Sequence, residues 1–182
     1  MTSPTSEFSR PVLLQRLGTG AFRQRIVATE AERAALAERF GLLSLDRLCA
    51  DVDLTRRGGE MVLLRAAFEA EFVQECVVTL DPVPGTMAEE FGVLYGPLAL
   101  EEAAMGTLGD TIAFEPMEGD AIDIGEAVAQ EFSLALPPFP RSVDAPAEAA
   151  PPPDDANPFA ALTGWRGRLG DDRGNDQGNE TS

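Results

Sequence analysis

The chain has 182 residues, 44% hydrophobic and 7% aromatic, which suits one modest domain with a tail rather than two domains. All 14 basic residues are Arg, and with no His and no Lys the chain lacks a side chain titrating near neutrality, an amine nucleophile and a phosphate-cradling lysine. The net charge of -17 disfavours wholesale nucleic-acid binding, but residues 1–65 carry 10 Arg against 8 acids while residues 66–165 carry 1 Arg against 19 acids, so only the first part is suited to face phosphate.

Taken in chain order, residues 8–17 (FSRPVLLQRL) read as an extended segment with Pro11 at an edge position and Gly18 and Gly20 ending it. A short strand is expected at Phe22–Val27. Thr29 then opens a helix: Glu32, three positions on, can reach back as in a capping box, and Gly41 closes it. Leu36 and Phe40 give that helix a narrow apolar stripe, with Arg33, Glu38 and Arg39 expected in water.

From Leu48 the pattern alternates. Leu48, Ala50, Val52 and Leu54 share one face of a strand; Arg47, Cys49, Asp51, Asp53 and Thr55 share the other. After Arg56, Arg57, Gly58 and Gly59 the run Val62, Leu64, Ala66, Phe68, Ala70 and Phe72 lies opposite Arg65, Glu69 and Glu71, a long hairpin. CVVTL, residues 76–80, is expected to continue as strand, and the two prolines of DPVPG, residues 81–85, to force a turn. Another strand is expected over residues 86–95. Residues 96–119 read as a long acidic loop with a helical turn near residues 101–105. In DIGEAVAQEFSLALPP, Asp123 is a candidate cap and Ile124, Val128, Phe132 and Leu136 recur every fourth residue, an amphipathic helix that Pro137 and Pro138 end.

Residues 142–182 are expected to form a flexible, disordered, acidic Pro/Ala-rich tail behind a domain of residues 1–141. Within it, residues 157–165 (NPFAALTGW) read as a short helical peptide. Asn157 caps it, Pro158 takes the first helical position, and Phe159, Leu162 and Trp165 share a side suited to docking.

No glycine loop precedes a Lys, no Gly-x-Ser-x-Gly elbow is present, and no Cys/His ligand set occurs, so catalysis, metal and cofactor are not expected. Cys49 and Cys76 are expected to be free thiols, Cys76 as a small core residue beside Glu75. No signal-peptide pattern or membrane-length apolar run is read, so the expected location is cytoplasmic.

The segments EFSRPV, RFGLLSLDRL, CVVTLDPV, GDAIDIGEAVAQEFSLALPPFPR and NPFAAL, in this order, resemble the YceD family (domain of unknown function 177) of the alphaproteobacterial type. The family motif falls on Cys76, Thr79, Asp123, Gly125 and Glu126. Many relatives carry Cys-x-x-Cys where this chain has Cys76, Val77, Val78 and Thr79, so a thiol-pair or metal role does not carry over. The resemblance implies a role in accumulation of large-subunit (23S) ribosomal RNA.

The combined expectation is an α+β fold in which two helices cover an antiparallel sheet. Its function is read as that of a non-catalytic ribosome-assembly factor, with Arg47, Arg56, Arg57 and Arg65 the candidate contacts to ribosomal RNA or a pre-50S particle. The alternative is an acidic adaptor that binds a basic ribosomal protein or assembly enzyme without touching RNA.

Overall fold

The computed structural model describes residues 6–18, 20–58, 60–101, 112–117 and 119–146. Their order is β1 (Pro11–Leu13), β2 (Phe22–Val27), α1 (Glu30–Phe40), β3 (Ser44–Arg56), β4 (Val62–Glu75), β5 (Pro82–Gly96), β6 (Ala113–Pro116), β7 (Ala121–Asp123) and α2 (Ile124–Ala135). The fold is α+β, as expected. Five strands form a sheet in the order β2-β3-β4-β5-β6, antiparallel except that β6 runs parallel to β5, and β1 and β7 form a separate antiparallel pair. The described residues from Ser6 to Ala145 belong to one compact unit. The proposed peptide at residues 157–165 lies outside the described residues.

Alternation along β3 and β4 sends one set of side chains to a single buried face. Leu48, Leu54, Val62 and Leu64 are all within 1% of complete burial there. Phe132 of α2 sits edge-on to Phe68, Phe72 and Phe40 at centroid distances of 6.3, 5.7 and 5.9 Å, joining both helices to the central strand. Each buried aromatic contributes about 2 kcal/mol through area, with about 1 kcal/mol more from such ring geometry. The opposite face of the sheet is largely open, except at one end, where Leu63 and Leu94 are buried with Met61, Ile112 and Phe114.

Helix α1 forms where the sequence indicated. Thr29 and Glu32 make both halves of the capping box, and Gly41, at φ 65°, ends the helix in the left-handed region. Arg33 is not in water as expected: its guanidinium donates to the carbonyls of Ala28 and Leu45, tying the helix to the start of β3. The first segment is only a three-residue strand, followed by a 3-10 turn at Leu14–Arg16.

The β4–β5 connection corrects two expectations. Residues 76–80 are the turn, with Leu80 at φ 64°, and β5 begins at Pro82 rather than after the prolines. Cys76 N–H donates to Asp81 O at 2.9 Å, which sets Asp81 and every second residue after it toward β4. Pro82 and Pro84 therefore present their nitrogens to the outer edge and remove no ladder bond. Pro was a poor stop signal here because edge parity, invisible in sequence, decided its cost. Similarly, the expected loop at 96–119 contains β6 and a 3-10 turn at Leu98–Leu100. Most of the helical turn expected near 101–105 lies outside the described residues.

Candidate functional site

Three places on the domain hold the residues singled out from sequence. The first is a clasp between the N-terminal segment and the start of α2. Asp123 Oδ1 accepts from the N–H groups of Gly125 and Glu126, both at 3.1 Å, and from Arg10 N–H at 2.7 Å; its Oδ2 accepts from the Ser9 hydroxyl. One carboxylate thus caps the helix and anchors the incoming chain. Gly125 is required by approach rather than by backbone angle, because a Cβ there would collide with the Phe8 carbonyl. Glu126 accepts from the Ser6 hydroxyl and from both terminal nitrogens of Arg39, and Arg39 also reaches Glu7 at 2.9 Å. The Arg39 guanidinium beside it holds the Glu126 carboxyl below its usual range, with Ser6 and Gln130 adding to the effect against partial burial.

Arg10 completes the clasp through a bidentate pair with Glu32 of α1, at 2.7 and 2.9 Å. This pair, with the Thr29 cap, lowers the Glu32 carboxyl to about 2 despite desolvation. The capping box was legible in sequence; Arg10 as its third member was not, since 22 positions separate the partners. The clasp is a structural junction in which Arg10 and Arg39 are both paired with carboxylates.

The second place is the Cys76 turn. Cys76 is fully buried, and its Sγ accepts from the N–H groups of Ser142 at 3.3 Å and of Val78 and Thr79 at 3.5 Å. The Ser142 N–H chiefly, then the Thr79 hydroxyl and the turn amides, lowers the thiol to about 6. Sequence neighbours had offered only Glu75; the donors come from the turn's own backbone and from a segment 66 positions away. Val77 N–H also bonds the Pro140 carbonyl at 3.0 Å, so the segment after α2 closes over the turn. Among the described residues no group of three or more acids and thiols could hold a metal ion.

The third place is the open sheet face, which carries Arg47 and Arg65 of the four predicted arginines. Its columns alternate in charge: Arg23 meets Asp53 at 2.9 Å, Arg25 meets Asp51 at 3.0 Å, and Arg47 meets Glu69 at 2.7 Å and Glu71 at 3.6 Å. Cys49, assigned by alternation to this wet face, is buried with Arg25 and Glu69 beside its sulfur. Arg56 turns away from the face and donates to the carbonyls of Leu14 at 2.6 Å and Leu17 at 3.1 Å. Arg57 is exposed in the β3–β4 turn, and Arg65 stands in register with Asp53. Nine residues of extended β3 place Arg47 and Arg56 about 30 Å apart, so the four do not converge on one patch.

Between β3, β4 and β5 the same face dips into a shallow hollow of about 520 Å³ floored by Ala67 and Gly92 and edged by Asp51, Asp53, Arg65 and Glu90. Sequence reading passed over it. The small residues Ala67 and Gly92 were visible, but only the strand register sets Ala67 between Asp51 and Glu90 and Gly92 opposite Arg65.

No helix among the described residues is long and apolar enough to cross a membrane. Residues 64–162 match the family described as Large ribosomal RNA subunit accumulation protein YceD. Neither a curated protein nor a solved structure matches the chain.

Proposed function

Since the chain belongs to the YceD family of large ribosomal RNA subunit accumulation proteins, with a role in large-subunit ribosomal RNA accumulation, we propose that it acts by holding a basic protein partner rather than by transforming a substrate. The partner is a ribosomal protein or an assembly enzyme, met in the cytosol. The carrying observation is the neutralisation of the open face: Arg23, Arg25 and Arg47 are each engaged by a carboxylate within 3.0 Å. A phosphate backbone would have to displace those carboxylates and then lie beside them. A cationic protein surface instead gains from the 19 acids and single Arg of residues 66–165.

Direct contact with ribosomal RNA is the second reading, and the exposure of Arg57 and Arg65 favours it. Affinity capture of the full-length chain from cells, with and without ribonuclease, separates the two. The adaptor reading expects a protein partner that stays bound after nuclease treatment; loss of every partner on treatment supports RNA contact. Asn157, Pro158, Phe159, Leu162 and Trp165 are proposed as a second contact to the same partner. Unchanged capture after deletion of residues 150–182 would remove that part.

A further inference from the structure

We propose that the edge of β5 at residues 86–90, which no described residue pairs, takes up an extended Arg- or Lys-rich segment of a protein partner as an added strand in line with β6. Two hydrogen bonds at opposite ends of β5 fix which backbone groups face outward. Cys76 N–H bonds Asp81 O on the β4 side, and Met117 N–H bonds Gly96 O on the β6 side, so even-numbered residues of β5 point away from β4. Pro82 and Pro84 lack an N–H there, but Thr86, Ala88 and Glu90 each direct both N–H and C=O outward. Strand β6 covers only Val93–Gly96, and no described residue pairs with the three outward positions. All three are solvent-exposed.

Such an edge is a template for another strand, and its surroundings select the sign of the newcomer. Glu89 lies on the helix-side face and Glu90 on the open face; neither is in an ion pair with a described residue. Side chains of an added strand on the open face would extend past Glu90 over the hollow, where Asp51 and Asp53 are already paired with Arg25 and Arg23 and the small Ala67 and Gly92 leave room for a long aliphatic stem. A second copy could offer its own Arg23 and Arg25 edge, but that head-to-tail addition does not close and would generate filaments.

The proposal rests on the adaptor reading for its partner class, and its test uses a synthetic probe so that the two can fail separately. Full-length protein is titrated with a fluorescent alternating Arg-Val octapeptide and with its Glu-Val counterpart at about 0.1 M salt, and amide exchange is followed. The Arg-Val peptide should bind and slow exchange at Thr86, Ala88 and Glu90 by about 10-fold or more. Ala88→Pro removes an outward donor without touching the ladder, and should weaken binding by about 10-fold while leaving the melting temperature close to wild type. If that variant loses stability, Glu89→Gln with Glu90→Gln should still weaken binding by about threefold or more. Absence of protection at the three amides, equal binding of the Glu-Val peptide, or protection that grows with protein concentration alone would each overturn the assignment. Protection of the same amides by a ribosomal RNA fragment in place of the peptide would do so as well.

Discussion

The carbonyl of Phe8 occupies the place that a side chain at Gly125 would need. This contact joins two segments 117 positions apart in sequence: the helix start is the floor on which the N-terminal segment lies. Gly125→Ala should therefore cost about 3 kcal/mol, because backbone rather than a flexible side chain must move. Chemical denaturation measures it, and a loss within about 0.5 kcal/mol would show that the N-terminal segment is not held there.

The Arg10–Glu32 pair gives the fold an acid-sensitive element. Glu32 titrates at about 2 in the folded chain against 4.5 as its ordinary value. The unfolded state thus binds the proton first, so the stabilisation is fully present above pH 4.5 and is lost as pH falls toward 2. Glu32→Gln should lower stability by about 1 kcal/mol at neutral pH and flatten the pH dependence in that window. A wild-type slope that persists unchanged in the variant would reassign it to other carboxylates.

Arg56 is bound into the fold. Its guanidinium meets two backbone carbonyls in the segment after β1, so Arg56→Ala should lower stability by about 1–2 kcal/mol and lower partner capture only through unfolding. Arg65→Glu, on the open face, should leave the melting temperature nearly unchanged. If direct RNA contact through this hairpin operates, Arg57→Glu and Arg65→Glu, rather than a change at Arg56, will reduce retention on ribosomal RNA and its salt dependence.

The Cys76 thiol, lowered to about 6 chiefly by the Ser142 N–H, has no solvent-exposed surface. Alkylation by iodoacetamide at pH 7 should be much slower in the folded chain than in urea, since access rather than thiolate fraction limits it. Cys76→Ala removes one acceptor from three N–H groups, and exchange at Val78, Thr79 and Ser142 should accelerate together. Acceleration at Val78 and Thr79 alone would mean that the segment after α2 is held by the Val77–Pro140 bond instead.

Local chemistry fixed α1, the β3–β4 hairpin and α2 at the level of sequence, because a cap, an alternation or a four-residue recurrence is complete within one segment. Thr29 with Glu32, the face of Leu48 through Leu54, and Ile124 with Val128 and Phe132 all form where the pattern put them. Tertiary pairing decided the rest. The prolines at 82 and 84 belong to a strand because register turns their nitrogens outward, Arg56 is structural because the segment after β1 lies beside it, and Cys76 gains its donors from residues near and far. An arginine count records charge, but only a register records what each charge faces; here most of the open face's positive charge already faces carboxylate.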